Sequence, residues 1–318
     1  MDDDRGSSFP VSLAARFRFP AIVLAVLLAS TFTVAATPQG SFDKTFQVSG
    51  QVDLEVETHS GDIIVHAGPP GAVSIRGKIF VGDHWLFGDQ HTEVSDIEQH
   101  PPLRQEGNSI RIDYVTARNI SVDYEITVPV DTKIRSRSGS GDQKIEGTRG
   151  NVDVQTGSGN IKLAQIAGDI HLQTGSGDVK ARQIAGQVHG GTGSGDIEME
   201  ESGSGDVNLR TGSGNITARG IQGAFRGDTG SGNITAEGTQ SGTWELRTGS
   251  GNVHVRLPAS AAFDANLSSS SGRVQVDSPV TMTVQGRVED MHKSIQGKVR
   301  GGGPLLTVRT GSGDVHIQ

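Results

Sequence analysis

The chain has 318 residues, with 45 glycines, 14 aromatic side chains and no cysteine. Disulfides, thiolate metal centres, cysteine nucleophiles and a lipoprotein cysteine are thereby excluded, and the absence of a Gly-X-Y triplet excludes collagen. A formal net charge of −8 describes a mildly acidic surface and argues against nucleic acid or an anionic membrane as the main partner.

Residues 1–36 read as an export signal. Arg16 and Arg18 precede an uncharged run from Phe19 to Phe42, whose apolar centre is Ala21 to Ala29. Val34-Ala35-Ala36 supplies the small residues of a cleavage site. The same run is just long enough for an N-terminal membrane anchor, although Ser30, Thr31 and Thr33 dilute its second half.

Residues 37–137 form a less regular N-terminal β region. Val52-Asp53-Leu54-Glu55-Val56, Ile110-Arg111-Ile112 and Ile120-Ser121-Val122 alternate apolar and polar residues, and Tyr124 to Val128 continues the last of them until Pro129. Ser60-Gly61-Asp62-Ile63-Ile64-Val65 is an early copy of a phrase that dominates later. Gly82 to Gly107 breaks the pattern with His84, Trp85, Phe87, His91, His100 and Pro101-Pro102. It reads as an excursion that covers an open edge or end of the fold, with a ligand-contacting loop as the alternative.

Residues 138–257 are the regular, glycine-rich repeat block. A glycine marks each copy at positions 141, 150, 159, 168, 177, 186, 195, 205, 214, 223, 232, 242 and 251, so ten of twelve intervals are nine residues and two are ten. After the glycine comes a small polar or acidic residue, an aliphatic residue, any residue, then usually a second aliphatic one; Gly159-Asn160-Ile161-Lys162-Leu163 is the clearest copy. Residues two apart on a strand share a face. The pairs Val152/Val154, Ile161/Leu163, Ile170/Leu172, Val179/Ala181, Ile197/Met199, Val207/Leu209, Ile216/Ala218, Trp244/Leu246 and Val253/Val255 are therefore expected inside. Asp153, Lys162, His171, Lys180, His189, Glu198, Asn208, Thr217, Arg226, Thr235, Glu245 and His254 are expected outside. The marker glycines are expected to supply the positive φ of a sharp turn.

Every second turn is Thr-Gly-Ser-Gly, beginning at Thr156, Thr174, Thr192, Thr211, Thr229 and Thr248, whereas the intervening turns are more apolar, as in Gln165-Ile166-Ala167-Gly168. Two nine-residue strand-turn units thus make one coil of about 18 residues with two unlike edges. One unit cannot bury its apolar side alone, so the expected fold is all-β, a parallel β-solenoid. Residues 258–318 form its C-terminal end, interrupted by Pro258 and Pro279. Ile317-Gln318 would leave an open strand edge available for self-association.

The chemistry is sparse. A calcium-binding β-roll requires Gly-Gly-x-Gly-x-Asp-x-aliphatic-x; here the acidic residue directly follows the glycine. Only two of six ladder positions (Asn160, Asp178, Asp196, Asn215, Asn233, Asn252) are carboxylates, whereas hard cations need several. Asparagine stacking through amide hydrogen bonds accounts for that ladder. His171 and His189 fall beside Asp153 on one outer face, an arrangement that can bind a transition metal but that also fits a solvated surface. Gly-Ser-Gly runs into a strand instead of a helix N-terminus, so it is no phosphate loop. Asn119, Asn215, Asn233 and Asn266 match glycosylation sequons but read as turn asparagines. A polysaccharide-cleaving β-helix would need clustered carboxylates or basic residues in a groove, and the outer slots mix Lys, His, Glu, Thr and Asn.

The recurring Thr-Gly-Ser-Gly-Asp/Asn-Ile/Val phrase, together with Gly301-Gly302-Gly303-Pro304 and the tail Thr310-Gly311-Ser312-Gly313-Asp314-Val315, resembles the bacterial putative-adhesin family of β-strand-repeat proteins, a domain of unknown function. The likeness covers roughly residues 41–318. Two local departures are Gln143 in an inward slot and Ser202-Gly203-Ser204-Gly205 in place of an apolar turn. The resemblance implies an exported bacterial solenoid and supplies no catalytic residue.

The expectation is a non-enzymatic scaffold of the cell envelope, cell surface or extracellular space with adhesin-like binding. No catalytic, cofactor-binding or metal-binding residue and no cofactor is assigned. Expected partners are surface glycans or envelope components, with no nucleic acid, and with membrane contact only through an uncleaved N-terminal segment. A carbohydrate-active β-helix enzyme and a calcium-binding β-roll are the alternatives.

Overall fold

A computed structural model describes residues 37–82, 91–117, 119–282 and 293–318. The export segment 1–36 and the excursion residues His84, Trp85 and Phe87 lie outside the described residues. Among the described residues the strands form two sheets, one of 13 and one of 14 strands. In each, eleven strands stack in parallel, one per coil. The chain is a parallel β-solenoid.

The register follows the repeat. Ile161 lies opposite Val179 and Val179 opposite Ile197, the same slot of the phrase one coil on each time. Ile197 lies opposite Ile216, so the longer interval in the sequence there is absorbed without loss of register. All the apolar side chains expected inside are buried between the sheets. Each isoleucine, leucine or valine so placed contributes about 1.5–3 kcal/mol. Phe225 and Trp244 fill the core at adjacent coils, edge to face with ring centroids 5.8 Å apart. Gly227 leaves them room: a Cβ there would stand 3.2 Å from Phe225 Cζ and 3.3 Å from Leu246 Cδ2. Gln143 is indeed inside, only 1% exposed, and its Nε2 donates to the Gln155 carbonyl at 2.7 Å.

The glycines are needed for a different reason from the one expected. None of the repeat-marking glycines of the regular block has a positive φ; the left-handed positions of this block lie on the second edge, at Gly147, Gln165, Gln183 and Gly220. What requires glycine is contact between coils. A Cβ on Gly159 would lie 1.9 Å from the Gly141 carbonyl oxygen, so any side chain there would force the stacked turns apart.

The Thr-Gly-Ser-Gly threonines also turn inward. Thr174 is 2% exposed; its hydroxyl donates to Gly159 O at 2.8 Å and accepts from Gly177 N at 3.1 Å. Thr192, Thr211, Thr229 and Thr248 repeat the donation, each to the turn of the coil before it. Buried hydroxyls must be satisfied, and this column satisfies its own while tying consecutive coils together. No outward threonine array results.

At both ends the chain leaves serial order. Val52–Thr58 lies between Ser109–Ile112 and Thr132–Ser138, and Ile63–Gly68 lies between Ile120–Pro129 and Gln143–Glu146. At the other end Leu305–Thr310 is inserted between Trp244–Thr248 and Phe263–Ser269, and Val315–Ile317 between Val253–Arg256 and Val274–Val276. The expectation of an open edge at Ile317 is therefore corrected: that strand is paired on both sides. The sheet edges are Gly40–Gln47 and Leu103–Glu106 at one end and Val274–Val276 and Val280–Met282 at the other. In the described part of the excursion, the helix His91–Gln99 packs on the edge strand Gly40–Gln47. Val94 and Ile97 are buried, and Ser41 N donates to Glu98 Oε1 at 2.8 Å. That part of the excursion covers an edge.

Candidate functional site

The Asp/Asn edge is a continuous hydrogen-bonded ladder, but not of amide to amide. In each coil the backbone N–H donates to the side-chain Oδ1 of the coil before. Asn160 N bonds Asp142 at 2.8 Å, Asp178 N bonds Asn160 at 2.9 Å, Asp196 N bonds Asp178 at 2.9 Å and Asn215 N bonds Asp196 at 2.7 Å. The ladder continues through Asn233 and Asn252 to Asp314 and Arg273, following the coils in space and not in sequence. Only an oxygen acceptor is needed, which is why Asp and Asn interchange. In Asp178 and Asp196 it is Oδ1 that accepts the ladder bond. Among the described residues no three His, Asp or Glu side chains gather as a metal-ligand set.

On the outer face of the 14-stranded sheet, Asp153, His171 and His189 lie in one row, as their spacing predicts. With Lys133, Arg135 and Asp169 they line a shallow groove of about 680 Å³. Asp153 accepts from Gln155 Nε2 at 3.2 Å, and among the described residues no hydrogen bond joins it to either imidazole. Acids, bases and amides alternate among the described residues that line it.

The outer face of the 13-stranded sheet brings together residues that sequence spacing does not. His254 and His316 are in register, with ring centroids 5.2 Å apart, and His316 Nε2 lies 3.1 Å from Asp277 Oδ1. Burial holds the His254 imidazole below its ordinary value, with His316 and Arg256 adding to the effect. Asp277 is held low by the hydrogen bond from Gln275 and then by His316. The only sequence signal was the late copy of the phrase at Gly313-Asp314-Val315, which carries no information about which coil it joins.

Glu201 and Tyr124 are among the buried side chains with an unpartnered polar atom. Glu201 is 5% exposed and lies opposite Ile184, in an apolar column of the second edge. Its Oε2 accepts from Gln222 N at 3.1 Å, whereas Oε1 has no partner, and burial pushes the carboxyl above its ordinary value. Tyr124 packs against Phe42 with its hydroxyl unpartnered, and burial pushes the phenol up.

The Toastrack DUF4097 family model matches residues 36–184 and again 119–318, so nearly all of the described chain is covered. The chain belongs to the Toastrack DUF4097 family. No curated protein matches the Toastrack chain. It is similar to a solved structure from Clostridium sporogenes named a "putative cell adhesion protein", at 10% identity over 87% of this chain and 98% of that one, with a TM-score of 0.23. It is also similar to a "putative adhesin" from Bacteroides fragilis, at 12% identity over 89% of this chain and 100% of that one, with a TM-score of 0.33. Among the described residues of the Toastrack chain no helix is long and apolar enough to cross a membrane.

Proposed function

We propose that this Toastrack chain is an exported, non-enzymatic solenoid that acts as a scaffold with adhesin-like binding at the cell envelope or surface. The observation that carries the reading is the register of the outer faces. Polar side chains of successive coils stand in straight rows over a rigid apolar core, so a repeating partner meets the same kind of contact again and again. Weak contacts multiplied in this way give useful avidity. Surface glycans and envelope components are partners of that type. The run Phe19 to Phe42, with Ala35-Ala36 within it, supports export. Self-association through the last strand is not part of this reading, because that strand has no free edge.

Cell fractionation combined with the mature N-terminus tests the location; recovery of the intact chain only from the cytoplasm overturns it. A screen for glycan depolymerisation tests the absence of catalysis: turnover abolished by one carboxylate substitution would replace the scaffold with an enzyme.

A further inference from the structure

Cross-strand charge compensation is frequent on both outer faces. Glu55 is approached by Arg111 at 3.6 Å and by Arg135 at 3.7 Å, Arg226 meets Glu245 at 3.0 Å, and Arg256 meets Glu237 at 3.5 Å. One row of the 13-stranded sheet departs from this pattern. Lys144, Lys162 and Lys180 occupy the same outward slot in three successive coils, in register and exposed. Parallel strands stand about 4.8 Å apart, and like charges directly opposite one another destabilise a sheet. Lys144 is compensated by Glu146 at 2.8 Å. Among the described residues Lys162 and Lys180 have no carboxylate at ion-pair distance. The next residue in the row, Glu198, is engaged by Arg182 at 3.3 Å and Arg219 at 3.5 Å. Arg182 stands one slot to the side of Lys180, and opposite it Ala164 leaves the flank of Lys162 open.

We propose that Lys144, Lys162, Lys180 and Arg182 form a binding stripe for a linear acidic polysaccharide, with one carboxylate per sugar ring, laid along the solenoid axis. The repulsion within the row is relieved by a polymer whose negative charges recur along the same line. The positive stretch spans three coils; Glu125 and Glu198 close it at either end along the row, and Glu146 and Glu200 flank it on the Arg182 side. Those carboxylates repel a charged plane such as an anionic bilayer but leave room for a single thread. Single-stranded nucleic acid is held mainly by aromatic stacking platforms. Beside the lysines the outward slots hold Ile64 and Ala164 instead. The stripe deepens the binding half of the proposed function and is independent of where the protein resides, so its test is separable from fractionation.

The test uses the purified full chain in titrations against polygalacturonate, alginate, methyl-esterified polygalacturonate, single-stranded DNA and phosphatidylglycerol vesicles. The expected result is binding to at least one of the two acidic glycans that weakens steeply with salt, and loss of binding to the esterified polymer. Lys162→Gln with Lys180→Gln should lower the affinity by about tenfold or more while leaving thermal stability unchanged or raised. Lys44→Gln, on the edge strand Gly40–Gln47 four strands away, should change neither. The proposal is overturned if neither acidic glycan binds, if the esterified polymer binds as well, if the double variant retains full affinity, or if DNA or vesicles bind more tightly.

Discussion

The central coils and the two ends are built from the same phrase but closed differently. In the centre each strand finds its neighbour in the very next coil of the sequence. At the ends Val52 pairs with Thr132 and Trp244 pairs with Leu306, each partner several coil lengths further along the chain. Central pairing therefore closes short loops, while the end coils depend on long ones and on strands inserted between earlier neighbours. Loop-closure entropy grows only slowly with length, so the ends need not be weak. Where stability is a sum of nearest-neighbour interfaces, the ends are expected to open separately from the centre.

The largest effects are expected in the centre. Gly159→Ala drives a methyl group to 1.9 Å from Gly141 O, and Ile161→Asp buries a charge. Each should cost about 4 kcal/mol or more in urea denaturation followed by circular dichroism. Lys162→Asp, at the next position of the same phrase, should stay within about 0.5 kcal/mol; equal losses at Ile161 and Lys162 would mean that the two faces are reversed. Next, Val308→Asp strikes the inserted strand of the C-terminal end. Hydrogen exchange should show protection lost over 263–276 and 305–317 and kept over 152–221. Loss across all regions at once would make centre and end one unit.

Smaller effects come from the polar exceptions. Glu201→Ile restores the residue found at Ile166 and Ile184 and should stabilise by about 1 kcal/mol at neutral pH. The Glu201 carboxyl is held above its ordinary value in the folded chain. Its favourable contribution is complete below the ordinary carboxylate range and is lost as pH rises through the raised value. The gain from the isoleucine should therefore be larger at pH 7 than at pH 4, as measured by thermal melts; a pH-independent gain would place Glu201 in water. The smallest difference concerns the ladder. Asn233→Ala removes the acceptor of Asn252 N and should cost about 0.5–1.5 kcal/mol, while Asn233→Asp keeps an oxygen there and should cost less. The reverse order would restore amide stacking as the source of the ladder.

The repeat was legible because its two periods are local. Ile161, Val179 and Ile197 are each a coil apart, so the inward and outward faces and the in-register histidines His171 and His189 follow from counting. What counting could not reveal is the order of coils at the ends. Gly61-Asp62-Ile63 and Gly313-Asp314-Val315 look like any other copy, and nothing in them says that Asp62 sits between Asp123 and Asp142, or Asp314 between Asn252 and Arg273. For the same reason the His254–His316–Asp277 cluster was invisible. The positions of the repeat glycines follow from counting but the need for them does not, since the contact that demands glycine lies in another coil and not in the residue's own φ.

The inserted strand Val315–Ile317 has a mechanical meaning. An outermost strand pulled away from its sheet unzips one bond at a time. A tension applied through Gln318 instead meets Val255 on one side, through the bond from Gln318 N to Val255 O at 2.8 Å, and the Val274–Val276 strand on the other. Two ladders must shear together before the solenoid yields, and the penultimate position of the segment turns the end of the stack from a peeling point into a clamp.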